Sequence, residues 1–118
     1  MQAEIIAVGS EMLTPERTDT NSLYLTGQLN DLGVEVVAKH IVGDDRGRIA
    51  GTVRRAAASG IVIVTGGLGP TEDDLTREAV SDALERRLVF HEEISRKLEE
   101  RFRQLCFSRG FAAKPLCN

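Results

Sequence analysis

A chain of 118 residues with 42% hydrophobic and 28% charged residues has the make-up of one ordinary globular domain, which excludes the disordered and fibrous classes. Its net charge of −3, four Phe, one Tyr and no Trp leave neither a basic face nor stacking residues for nucleic acid. The longest apolar runs, 5–8 and 61–64, are too short to span a bilayer, and Met1-Gln2-Ala3-Glu4 lacks the basic start of a signal peptide, so a cytoplasmic location with no membrane partner is expected.

In chain order, residues 3–8 (AEIIAV) form an apolar run closed by glycine, the pattern of a strand buried on both faces of a parallel sheet. Residues 21–32 predict a helix with Leu25, Leu29 and Leu32 on one stripe, capped by Asp19 or Thr20 and closed by Gly33. The run 34–42 (VEVVAKHIV) is a more mixed strand that belongs toward an edge. A second helix over 46–59 carries Ile49, Val53, Ala56 and Ala57, with Asp45 as its cap and Gly60 at its end. The run 61–64 (IVIV) repeats the pattern of the first strand. Beyond it, 75–84 predicts a helix, 88–90 a short strand or extended piece, and 92–106 a longer helix with Ile94, Leu98, Phe102 and Leu105 on one stripe. The domain is accordingly set at 1–106, followed by a tail over 107–118. Cys106 and Cys117, with no CxxC and no histidine at metal-ligand spacing, read as two free thiols.

Strands alternating with helices imply right-handed crossovers and a mostly parallel α/β sheet, so the three strand exits share one edge, where ligands of such sheets bind. The exits read Gly9-Ser10-Glu11, Gly43-Asp44-Asp45 and, after the third strand, TGGLGPTEDDLT over 65–76. Gly66, Gly67 and Gly69 exceed what one tight turn needs and let the backbone approach a phosphate, with Thr65 and Thr71 as hydroxyl donors and Gly9 and Ser10 alongside. Acids next to an anion site make sense if a divalent cation (Mg²⁺, Mn²⁺ or Co²⁺) lies between them, with Glu11, Asp19, Asp45, Asp73 and Asp74 as candidates. Asp19 and Asp45 equally suit helix N-caps, and Glu72-Asp73-Asp74 the positive end of the next helix. His40 and His91 read as structural or solvated, and Ser10 lacks the GxSxG elbow of a hydrolase.

The stretches AEIIAVGSEML, TDTNSLYL, VGDD and TGGLGPTEDDLTREAV resemble the N-terminal domain of the competence/damage-inducible CinA proteins, itself similar to the MoaB/Mog molybdopterin-binding fold. The resemblance implies a three-layer α/β/α domain, incomplete at its C-terminus, that holds a phosphorylated ligand at the TGG loop and hydrolyses the diphosphate of ADP-ribose with a divalent metal. Carried onto this chain, it implies that Gly66, Gly67 and Gly69 with Thr65 cradle phosphate. It makes Asp74 the leading catalytic or metal-binding carboxylate, with Asp73 beside it and Glu11, Asp19 and Asp45 as weaker metal ligands. The partner is then an ADP-ribose-like nucleotide or a pterin phosphate, either turned over or only bound, and an uncovered sheet edge is expected to drive homo-oligomerisation. A valine at Gly67 is expected to abolish binding with only modest loss of stability.

Overall fold

The computed structural model describes residues 1–108. Three β-branched runs form β1 (Gln2–Val8), β2 (Glu35–Val42) and β3 (Gly60–Thr65), and helices α1 (Thr20–Asp31), α2 (Arg46–Ala56), α3 (Thr76–Leu84) and α4 (Glu92–Ser108) alternate with and follow them. The strands make one parallel sheet in the order β2-β1-β3, with a register shift between Ala3 and Glu4 against β2. The crossover through α1 runs from the centre to one edge and that through α2 runs back past the centre to the other. Right-handed crossovers of opposite direction put α1 and α2 on opposite faces, which is the three-layer architecture expected. Among the described residues no helix is long and apolar enough to cross a membrane.

Burial follows from this order. Ala3, Ile5, Ile6, Ala7 and Val8 of the central strand are all buried. On one face Ile6, Val8 and Val42 pack with Ile49, Ala50, Val53 and Ala56 of α2 and Ala79 of α3, with Val62 and Val64 of β3 adjoining. The run 61–64 was expected to be buried on both faces, but it is only half-buried, because β3 lies at a sheet edge among the described residues. Leu32, expected on the buried stripe of α1, is 78% exposed because the helix ends at Asp31 and Leu32 is its C-cap. Residues 88–90 join no strand.

Caps and ion pairs fix the helices. Asp19 accepts the Ser22 N–H at 3.0 Å to start α1, and Asp45 accepts the Arg48 N–H at 2.8 Å to start α2. Gly33 takes a left-handed φ of 77° after α1. Arg46 grips Asp82 of α3 through two N–H donors at 2.6 and 2.9 Å, and the guanidinium holds the Asp82 carboxyl below the ordinary carboxylate range. The chain divides into two compact units, Met1–Leu88 and a second beginning at Val89. In the second, Lys97 and Glu93 pair at 3.0 Å along α4, and Ile94, Leu98 and Phe102 form one stripe. Cys106 is disulfide-bonded, not the free thiol expected, and Cys117 with most of the expected tail lies outside the described residues.

A polar cluster joins Glu4 of β1, His40 of β2 and Ser59 just before β3. Glu4, its side chain 14% exposed, accepts the Ser59 hydroxyl on one oxygen, and His40 Nε2 lies 2.6 Å from the other. These bonds, Ser59 first and His40 second, hold the Glu4 carboxyl below its ordinary range. A carboxylate with a depressed folded pKa stabilises the fold above its unfolded value, about 4.3 for Glu, and loses that contribution as pH falls through the folded value. Glu4→Gln should therefore lower stability by about 1 kcal/mol at neutral pH, and the gap to wild type should close as the solution is acidified below about pH 4.3. Urea unfolding at several pH values checks this; a gap independent of pH would place the stabilisation in packing instead of charge.

Candidate functional site

The three strand exits meet at one edge because the sheet is parallel, and backbone bonds knit them together. Gly9 extends the ladder by donating to the Val42 carbonyl at 2.9 Å. Ser10 N–H then donates to Asp44 Oδ2 at 3.2 Å, while Asp44 N–H donates to Ser10 Oγ at 3.0 Å, a reciprocal pair joining the first two exits. Asp44, and not the candidate Asp45, is thus the acid that joins this exit to the first.

The third exit is the tightest. Gly66 and Gly67 have φ of 85° and 65°, where side chains are disfavoured. A Cβ on Gly66 would overlap the Val8 carbonyl oxygen, and one on Gly67 would overlap the Thr76 hydroxyl and stand 3.2 Å from Val8 Cγ1. Thr76, only 3% exposed, clamps the loop from the start of α3: its hydroxyl donates to the Gly66 carbonyl at 2.7 Å and its N–H to the Gly67 carbonyl at 3.2 Å. The Leu68 N–H has no acceptor among the described residues. A turn of bare backbone leading into a helix N-terminus is chemically suited to an anion.

Asp74 closes the far side of the loop. Its Oδ2 accepts the Thr71 hydroxyl at 2.7 Å and the Thr71 N–H at 3.0 Å, and Asp74 N–H returns a bond to the Thr71 carbonyl at 3.1 Å. The Thr71 hydroxyl, then the Thr71 amide, with smaller help from the Gly69 amide and the Arg77 charge, hold this carboxyl below the ordinary range. Asp74 is therefore an anion at neutral pH and cannot serve as a general acid there. The Thr71 hydroxyl, expected to face a phosphate, is engaged by Asp74.

The structure brings Gly66, Gly67, Gly69, Thr71 and Asp74 together on one loop, with Thr65 at the end of β3 leading into it, while Gly9 and Ser10 bond to the second exit. The Glu11 carboxylate folds over Gly9, where a Cβ would come within 2.5 to 2.9 Å of it. Asp73 is exposed, and Asp19 and Asp45 are caps. Among the described residues no three His, Cys, Asp or Glu side chains gather around a cation position, so Glu11, Asp19, Asp45 and Asp74 do not form one cluster. Glu78, in the first turn of α3, was given no role from sequence, yet its Oε2 is buried with no partner among the described residues.

Residues 4–116 match the family model described as a probable molybdopterin binding domain. A CinA-like protein of Solibacter usitatus is 67% identical over 103 residues, 86% of this chain and 25% of that protein. The chain spans about a quarter of the length of such curated relatives. Among solved structures, protein CinA of Thermoplasma acidophilum superposes with a TM-score of 0.83 at 27% identity, over 99% of this chain and 66% of that one. The molybdopterin biosynthesis enzyme MoaB of Thermus thermophilus superposes with a TM-score of 0.66 at 25% identity, over 88% of this chain and 63% of that one.

The overlaps grade the three loop glycines. At Gly66 the obstacle is backbone, at Gly67 a clamped threonine, and at Gly69 the end of the Asp74 side chain. Alanine should thus cost most stability at Gly66, less at Gly67 and least at Gly69, with the first at roughly 2 kcal/mol or more. Gly67→Val should cost more stability than the modest loss expected from sequence, because its Cβ would overlap the Thr76 hydroxyl and stand 3.2 Å from Val8 Cγ1. Thermal unfolding of the three alanine variants checks the order, and equal losses would mean the loop relaxes freely.

Proposed function

Because this chain belongs to the family of probable molybdopterin binding domains, we propose that it binds the phosphate of a pterin- or nucleotide-like ligand on the loop 65–76. The observation that carries this reading is the side-chain-free turn at Gly66 and Gly67, held open by Thr76 and Val8 with the Leu68 amide unengaged. Thr65, the last residue of β3, would add its hydroxyl to the same turn.

The finer part of the proposal is hydrolysis of the diphosphate in ADP-ribose. A water oxygen attacks one phosphorus, the bridging P–O bond breaks, and AMP and ribose 5-phosphate leave as dianions, with the two protons of the water released to solvent. The chain's own contribution is to fix the diphosphate on the loop amides and to set the ionised Asp74 beside it. A divalent cation (Mg²⁺, Mn²⁺ or Co²⁺) would supply charge neutralisation on the phosphate oxygens. Since the acids do not gather in a group of three or more among the described residues, the metal in this proposal enters together with the phosphates. Binding without turnover is the second reading, favoured by the engagement of Asp74 with Thr71.

Calorimetry should show no Mg²⁺ binding to the free protein, ADP-ribose binding in EDTA, and tighter ADP-ribose binding when Mg²⁺ or Mn²⁺ is added. AMP release should be metal-dependent and should fall about a hundredfold in Asp74→Asn while nucleotide binding survives. ADP-ribose binding without AMP release leaves the binding module alone standing; loss of neither activity nor affinity in Asp74→Asn would make Asp74 a loop-closing residue only.

A further inference from the structure

A second cleft, of about 540 Å³, lies on the β2 side of the strand exits and does not include the loop 65–76. Its floor is the outer face of α2 at Gly47 and Gly51, its polar groups include Ser10, Arg48 and Arg55, and Leu13 and Ile41 give it an apolar wall. Leu13 and Ile41 are 61% and 44% exposed, large apolar groups left open to solvent.

The two helix glycines have no reason in the fold. Neither has a positive φ. A Cβ on Gly47 would stand 3.5 Å from Asp45 Oδ1, and one on Gly51 would stand 3.4 Å from Arg55 Nη1, both ordinary contacts. Alanine would fit at either place and would favour the helix, so their effect is to leave bare helix backbone facing the cleft.

The arginines carry the charge argument. Arg46, on the same helix, is paired with Asp82, but among the described residues neither Arg48 nor Arg55 meets a carboxylate. Arg55 folds back along the helix, donating to Thr52 Oγ1 at 3.3 Å and lying over Gly51. Asp44 and Asp45 also line the cleft, at its exit end, where they are engaged by the Ser10 and Arg48 amides. Gly51, between the two arginines in sequence, is six residues beyond Asp45, about 9 Å along the helix at 1.5 Å per residue, so an anion there is separated from carboxylates that the Ser10 and Arg48 amides already engage.

We propose that this cleft is a second ligand site, which takes a small organic phosphate with its phosphate between Arg48 and Arg55 over Gly51 and its apolar body against Leu13 and Ile41. Bidentate guanidinium donors match phosphate oxygens, and the wall matches a ring or short alkyl group. The site is independent of the loop 65–76 and stands whether or not that loop binds phosphate.

The test is a ¹H–¹⁵N NMR titration of the intact protein with phenyl phosphate, with inorganic phosphate and phenol as separate arms. Saturable shifts are expected at the Gly47, Gly51 and Thr52 amides, with inorganic phosphate at least tenfold weaker and phenol without effect at the same concentration. Arg48→Gln and Arg55→Gln should each weaken phenyl phosphate about tenfold. The double variant Gly47→Ala/Gly51→Ala should melt at higher temperature than wild type yet lose the shifts, which a merely structural role for the glycines would not produce. Shifts confined to residues 65–76, no saturation, equal affinity for inorganic phosphate, or undiminished affinity in Arg55→Gln or in the double glycine variant would each overturn the proposal.

Discussion

The backbone leaving β3 passes so close to the end of β1 that residues 66 and 67 cannot carry side chains, and the rest of the site depends on that approach. Val8 sets one wall with its carbonyl and methyl groups, and Thr76 sets the other by bonding two consecutive carbonyls of the turn. The approach exists because β1 is central, with β2 and β3 parallel on either side, so that all exits converge on one edge. Thr76 can act as a clamp because α3 packs its Ala79 into the core beside Ile6 and Val8. Core packing, the start of a helix and the shape of the turn are therefore one construction.

The acids at the strand exits serve this construction before they serve any chemistry. Asp19 and Asp45 satisfy orphan amides at helix starts, Asp44 and Ser10 satisfy each other's amides across two exits, and Asp74 closes the loop on Thr71. Each of these four carboxylates is fixed by hydrogen bonds to its own neighbourhood, so their negative charge is distributed instead of pooled at one position. On the proposed reading, an anionic ligand would meet bare amides at the glycines first, and a metal would complete its shell with the ligand's own oxygens.

The strands, the order β-α-β-α-β and both helix caps were legible in the sequence because β-branched runs, apolar stripes and Asx residues act locally. The Gly-rich loop was legible for the same reason: three glycines in four positions after a strand announce bare backbone. Burial was less so. Whether residues 61–64 face packing on both sides depends on strand order, which no local pattern encodes, and Leu32 fell out of the α1 stripe because the helix stopped one residue earlier. Among the acids, the choice between Asp44 and Asp45 turns on which one follows the last ladder bond and which one starts the helix, a difference of one residue that spacing does not resolve. The partnerless oxygen of Glu78, and the lack of a carboxylate at Arg48 and Arg55 among the described residues, become visible only when tertiary neighbours are present or missing.

The central claim is that loop amides, more than side chains, hold the phosphate. A crystal structure of the protein with ADP-ribose and Mg²⁺ tests it most directly. The account predicts phosphate oxygens within hydrogen-bonding distance of the Gly67 and Leu68 N–H groups, with Thr76 still bonded to the Gly66 carbonyl. Ligand bound elsewhere with the loop 65–76 unchanged and vacant, or phosphate held only by side chains, would contradict it.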